Sequence, residues 1–171
     1  AASDVYKRQP MGQWPGEFAR DVDFFSFVEQ VDIRVEDAGL FVDHLNGFPG
    51  VYSAFALETI GCDGMLRLMG EEPARGAEFQ AVAALLIDGD VHVSRGICRG
   101  VLAMNASGNE GFGFDPIFVP DDVHIDGSVH STNGLTFADV DLLVKEQFSH
   151  RRKALDGLIE QISTSEPASS S

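Results

Sequence analysis

Three short stretches carry side chains whose types and spacing could do chemistry. The first is Glu36-Asp37 followed by Gly39, reached off an apolar alternation at Val31, Ile33 and Val35. That alternation reads as a strand, so the carboxylates are expected at its C-terminal end, in a turn that Gly39 permits. Carboxylates delivered there are a usual way for an α/β sheet to present a metal or phosphate site. A solvated acidic turn is the plain alternative. The second stretch is Gly-Phe-Gly-Phe-Asp-Pro at 111–116. Its glycines let a planar ligand approach the backbone, its rings offer stacking worth about 1–3 kcal/mol per base, and Asp115 is held extended by the following proline. The alternative is a β-turn whose phenylalanines belong to the core, since the chain has 13 of them. The third is Ser149-His150-Arg151-Arg152, with Lys145 just ahead. If Ser149 caps a helix, the cations sit at the positive end of its dipole, at a cost of about 0.3–1 kcal/mol each. Either the turn is solvated, or an anionic or carbonyl-bearing ligand at that helix end offsets the cost. Carboxylates for a divalent cation, an aromatic turn for a ring and a cationic helix start together describe a nucleotide-phosphate site.

The elements that must position these groups read as α/β. A helix is predicted from Glu17 to about Phe24 and a strand over 31–35. Residues 57–69 place Ile60, Met65, Leu68 and Met69 near one helical face, with a break possible at Gly61 or Gly64. Residues 77–87 and 91–103 read as two long strands joined at Asp88-Gly89-Asp90, a hairpin signal. Residues 120–135, rich in Gly, Asp and His, read as an extended loop. Thr136 is the candidate N-cap of a short helix through Lys145. Ser149 is expected to cap another, from His150 to about Ile162, and residues 163–171 read as a disordered tail.

Composition narrows the classes. The 171 residues suit one domain, placed at 17–162 after a segment at 1–16 with little pattern. A net charge of −15 argues against a nucleic-acid duplex as partner, because phosphate binding needs a basic surface. No run of about 18 apolar residues could span a membrane, and the first residues lack the apolar core of a signal peptide, so the cytoplasm is expected. Cys62 and Cys98 form no Cys-x-x-Cys motif and read as reduced, buried thiols.

Glu-Asp-Ala-Gly-Leu (36–40), Asn-Gly-Phe-Pro-Gly-Val-Tyr-Ser (46–53), Gly-Phe-Gly-Phe-Asp-Pro-Ile-Phe (111–118), Phe-Ala-Asp (137–139) and Lys-x-x-x-Ser-His-Arg (145–151) follow one another in the chain. In that order they resemble the inosine triphosphate pyrophosphatase family, also called XTP/dITP diphosphatases. Leu-Phe-Val-Asp (40–43) and Glu-Thr-Ile-Gly (58–61) look like its archaeal branch. The resemblance implies an α/β fold whose elongated mixed sheet and flanking helices form two lobes around a deep nucleotide cleft, and a homodimer. It implies Mg²⁺-dependent hydrolysis of the purine nucleoside triphosphates ITP, dITP and XTP to the monophosphate and pyrophosphate. Carried over residue by residue, Asp37 would be the catalytic and metal-associated carboxylate, with Glu36 beside it at the metal. Phe112 would stack on the purine and Asp115 would belong to the same pocket. Lys145 would hold the nucleotide, while Ser149, His150 and Arg151 would read the base edge. Hypoxanthine and xanthine present a carbonyl at C6 where adenine presents an amine, so donors there favour keto purines. The family's opening Thr-Gly-Asn and the lysine after it have no counterpart in residues 1–16. A second reading is therefore an N-terminally truncated, catalytically impaired remnant that binds purine nucleotides or dimerises.

Overall fold

The computed structural model describes residues 33–165, Asp88 excepted. The helix expected over 17–24 and the tail beyond 165 lie outside those residues. Strands β1 (Ile33–Val42), β2 (Gly76–Ile87), β3 (Asp90–Leu102) and β4 (Phe118–Pro120) make one sheet in the order β1-β2-β3-β4. The β2–β3 hairpin turns where its Asp-Gly-Asp signal placed it, with Gly89 at φ 89°. The chain is α/β as expected, and every pairing in this sheet is antiparallel, because strands adjacent in space are also consecutive in sequence. The two-lobed cleft stays an expectation.

β1 corrects one expectation. It does not turn after the carboxylates but runs straight through them, pairing Glu36 with Ala83 and Asp37 with Val82. Gly39 serves close approach rather than a turn: a Cβ there would lie 2.3 Å from the Gly50 carbonyl oxygen. Ser53 Oγ accepts the Leu40 N–H at 2.8 Å, which fixes the Gly-Pro loop against the strand.

Helices α1 (Ser53–Thr59) and α2 (Gly61–Met69) are the predicted helical stretch, begun earlier and broken at Gly61, whose φ is 64°. Met65 and Met69 enter the main core with Leu40, Val42, Leu102 and Phe118. Residues 120–135 hold more order than a loop: β5 (Val123–Ile125) and β6 (Ser128–His130) pair around Asp126-Gly127, both at positive φ. That dipeptide is a hairpin signal in its own right.

The short helix through Lys145 also begins later than predicted. α3 (Leu142–Glu146) begins at Asp141, whose Oδ1 accepts the Val144 N–H at 2.9 Å. Thr136 cannot cap it, because its hydroxyl is buried and donates to Asp139. α4 (His150–Ser165) starts as expected, with Ser149 Oγ accepting the Arg152 N–H at 3.2 Å. It outruns the predicted end, and the Ser163 and Thr164 hydroxyls donate back to the Ile159 and Glu160 carbonyls. Among the described residues no helix is long and apolar enough to cross a membrane.

α4 lies on β2 and β3 because the sheet there is lined with small side chains. Ala81, Ala83 and Leu85 pack against Ala154 and Leu158, and Gly96 is so close that a Cβ would meet the His150 carbonyl oxygen at 1.8 Å. The helix start is thereby pressed onto the sheet, over the face of β1 that carries Glu36, Ala38 and Leu40.

Candidate functional site

Between that helix start, β1 and the 111–115 turn lies a pocket of about 240 Å³. Leu40, Phe79 and Phe137 give it an apolar floor, and Ala54 and Leu57 of α1 close one side. Phe112, Asp115, Lys145, Ser149, His150 and Arg151, which the sequence singled out from two of the three stretches, all line it.

The turn is built by its glycines. Gly111 and Gly113 sit at φ 76° and 67°, where L side chains are strained, and a Cβ on Gly111 would also lie 2.2 Å from Asp115 Oδ2. Asp115 closes the turn by accepting the Phe112 N–H at 2.7 Å. The same oxygen takes the Lys145 ammonium at 2.7 Å, and both side chains are nearly covered. The two rings divide the alternatives left by the sequence: Phe114 is core, whereas Phe112 stays 49% exposed at the pocket. Behind the turn, the Ala138 carbonyl accepts the Asn109 and Glu110 N–H groups. Asp139 accepts from the Ser107 and Thr136 hydroxyls, which hold its carboxyl below the usual carboxylate range. Phe-Ala-Asp is thus a clasp for the turn.

The basic stretch also divides. Arg152 is exposed, 3.7 Å from Asp156 one helical turn on, as a solvated turn would have it. Arg151 faces inward, its Nη1 3.5 Å from Glu36 Oε1, with only 18% and 10% of those side chains exposed. The Lys145 ammonium lies 4.3 Å and the Arg151 guanidinium 5.9 Å from the Phe112 ring centre. The His150 ring stacks on Phe79 at 5.1 Å and 11°. Desolvation first, then the charges of Arg151, Lys145 and Lys153, push its pKa down to about 3. A neutral imidazole offers one N–H and one bare nitrogen. Each cation beside Phe112 therefore has a carboxylate of its own: Lys145 has Asp115 and Arg151 has Glu36.

The two adjacent carboxylates part company. Successive strand residues point to opposite faces, so Glu36 faces the pocket and α4, while Asp37 is exposed on the other face of the sheet. The structure does not bring them together as a metal pair. Among the described residues no three His, Cys, Asp or Glu side chains gather as a metal cage. A hard carboxylate oxygen that is exposed, as on Asp37, still fits Mg²⁺, which usually takes one or two carboxylates, water and substrate phosphates. Both cysteines are free, and burial pushes the Cys98 thiol up to about 12.

The model of the Ham1 family matches residues 23–161. The chain belongs to the Ham1 family. A dITP/XTP pyrophosphatase of Hyperthermus butylicus is 44% identical over 125 residues, which is 73% of this chain and 60% of the relative. One of Pyrococcus horikoshii is 40% identical over 126 residues, 74% and 62% of the two chains. This Ham1 chain thus spans about three fifths of the length of the curated relatives it matches. Among solved structures, the Staphylococcus aureus Ham1 protein superposes with a TM-score of 0.65 at 29% identity, covering 78% of this chain and 67% of that one. A nucleoside-triphosphatase / dITP/XTP pyrophosphatase from Mycobacterium abscessus gives 0.58 at 32% identity, with coverage of 79% and 71%.

Sequence reasoning did not foresee three features of this Ham1 pocket. Phe79 under His150 was signalled only by its odd-numbered place in β2, in step with buried Ala77 and Ala81. Leu57 opens the predicted helical stretch, and nothing in its local pattern points to a ligand. The link from Glu36 to Arg151 spans 115 positions, and no spacing rule reaches that far.

Proposed function

We propose that this chain hydrolyses non-standard purine nucleoside triphosphates (ITP, dITP and XTP) to the monophosphate and pyrophosphate. It does so with Mg²⁺, in the cytoplasm and as a homodimer, and removes these nucleotides from the pool. The observation that carries the reading is the charge balance of the pocket. Two cations, each already matched by a carboxylate, surround an exposed ring over an apolar floor. Such a site suits an uncharged, polar-edged ring and does not suit a triphosphate. Its volume supports the same end of the nucleotide: about 240 Å³ lies below the roughly 300–1,000 Å³ of pockets that enclose whole drug-sized ligands.

In this reading the purine stacks on Phe112, and the N–H groups of His150 and Arg151 meet the C6 carbonyl. Adenine would turn an amine toward the same donors and leave them unpaired, which is a strong form of discrimination. Ser149 caps α4 and so fixes where His150 and Arg151 begin. The phosphates leave the pocket toward Asp37, which orients or deprotonates the attacking water. Mg²⁺ held by Asp37 and phosphate oxygens would supply neutralisation of the phosphate charge. The names of the relatives, dITP/XTP pyrophosphatases, support this substrate class.

Pyrophosphate release from ITP, XTP, GTP and ATP, with and without Mg²⁺, tests the proposal. Metal-dependent release from ITP and XTP well above ATP is expected. Equal rates on all four would refute the base assignment, and ITP binding without release would leave a nucleotide-binding module.

A further inference from the structure

We propose that Glu36 is a positioning residue for base recognition: its carboxylate holds and neutralises the Arg151 guanidinium beside Phe112. The inference rests on the pocket being the base site, as read above. Three observations converge on it. Glu36 shares a strand face with Ala38 and Leu40, which line the pocket, and not with Asp37. Its side chain is only 10% exposed, and Arg151 is the cation against it. Among the described residues its Oε1 is buried with no hydrogen-bond partner, and the 3.5 Å to Arg151 is longer than the ~2.7–2.9 Å of a closed charge-assisted bond. A buried carboxylate left in that condition is unfavourable. It is accounted for if the pair closes when a base takes up the other side of the guanidinium, as site contacts that are loose without ligand commonly tighten with it.

The neighbouring pair shows the closed form of the same device. Asp115 holds Lys145 at 2.7 Å while also tying the Phe112 backbone. Two carboxylates thus stand behind two cations around one ring. The chemical consequence concerns which keto purine is favoured. Hypoxanthine is neutral, whereas xanthine, with two carbonyls flanking a ring N–H, is the more acidic base and carries more negative charge near neutral pH. An Arg151 matched by Glu36 suits the neutral base through geometry. An Arg151 released from Glu36 keeps its charge but loses its aim, which penalises hypoxanthine more than xanthine.

The test is a double-mutant cycle on inosine monophosphate binding, measured by calorimetry in EDTA so that no divalent ion takes part, with ITP and XTP kinetics alongside. Glu36→Gln should weaken inosine monophosphate about tenfold, as loss of a hydrogen bond to a charged group does. It should raise KM for ITP similarly with kcat largely kept, and shift preference toward XTP. In an Arg151→Gln background the same change should add less than about twofold, because the partner is gone. Glu36→Asp, which keeps the charge but withdraws it by one methylene, should fall between wild type and Glu36→Gln, and it serves if Glu36→Gln does not fold. The proposal is overturned if Glu36→Gln lowers kcat at constant KM, which would place Glu36 with the phosphates and metal. Equal additive losses in both backgrounds would also overturn it. Failure of the wild-type chain to bind inosine monophosphate would instead remove the base-site reading, and this inference with it.

Discussion

The two faces of β1 are one residue apart in sequence and differ in almost everything else. On one face, Ala38 and Leu40 line a pocket whose cations are paired with carboxylates, and Glu36 beside them lies against Arg151. On the other, Asp37 stands exposed beside Val82, with no gathered metal ligands among the described residues. The first face is assembled by long-range packing: α4 seated on Gly96, the 111–115 turn clasped by Asp139, Lys145 tied to Asp115. Among the described residues of β1, Asp37 is the one ionisable side chain on the second face. In the proposed reading, recognising a base and cleaving a phosphate chain make separate demands, and one strand serves both by its pleat.

Single substitutions separate the roles of the two faces. Asp37→Asn should reduce hydrolysis of ITP by about 10²–10⁴-fold, the range of a lost general base, with the thermal midpoint unchanged because the side chain is exposed. An Asp37→Asn variant that still turns over would remove Asp37 from the mechanism. Gly96→Ala attacks the other face from beneath. It drives a methyl into the His150 carbonyl, and should cost about 1–3 kcal/mol of stability in denaturant unfolding, as overpacking does. It should weaken base binding as well. Phe112→Ala should cost about 1–3 kcal/mol of nucleotide affinity, yet shift stability by less than about 0.5 kcal/mol, since its ring is largely outside the core.

A pH series sharpens the comparison further. His150 is held neutral, with its folded pKa lowered to about 3 from 6.5. The unfolded chain therefore binds the extra proton first as pH falls. The His150 contribution to stability is complete above about pH 6.5 and is lost progressively toward pH 3. Denaturant unfolding across that window should be less acid-sensitive in His150→Gln than in wild type, and equal slopes would contradict the neutral, desolvated ring. Smallest of all, Val82→Thr on the open face should leave nucleotide affinity unchanged and stability within about 0.5 kcal/mol.

Much of this was legible in the sequence. The strands of the long hairpin and the capped start of α4 could be read from spacing, and Phe112, Asp115, Lys145, Ser149, His150 and Arg151, six of the residues that line the pocket, stood out by type. What misled was β1. Its early apolar residues, Ile33 and Val35, are odd-numbered, whereas the buried Leu40 and Val42 are even-numbered. A change of parity at Glu36-Asp37 followed by Gly39 looks like a turn, although the strand continues through it. The glycine was there for the Gly50 backbone, a partner 11 residues on, which local pattern does not reveal. Phe112 and Phe114 were indistinguishable by type, and tertiary packing alone sends one to the core and the other to the pocket.

In the proposed reading the base is bound on one face of β1 and the phosphates are processed from the other. Inosine monophosphate titrated in EDTA against wild type and Asp37→Asn tests it most directly. Equal affinity for the two proteins is the predicted result. A loss of binding in Asp37→Asn, or a strict requirement for Mg²⁺ in wild type, would contradict the separation of the two faces.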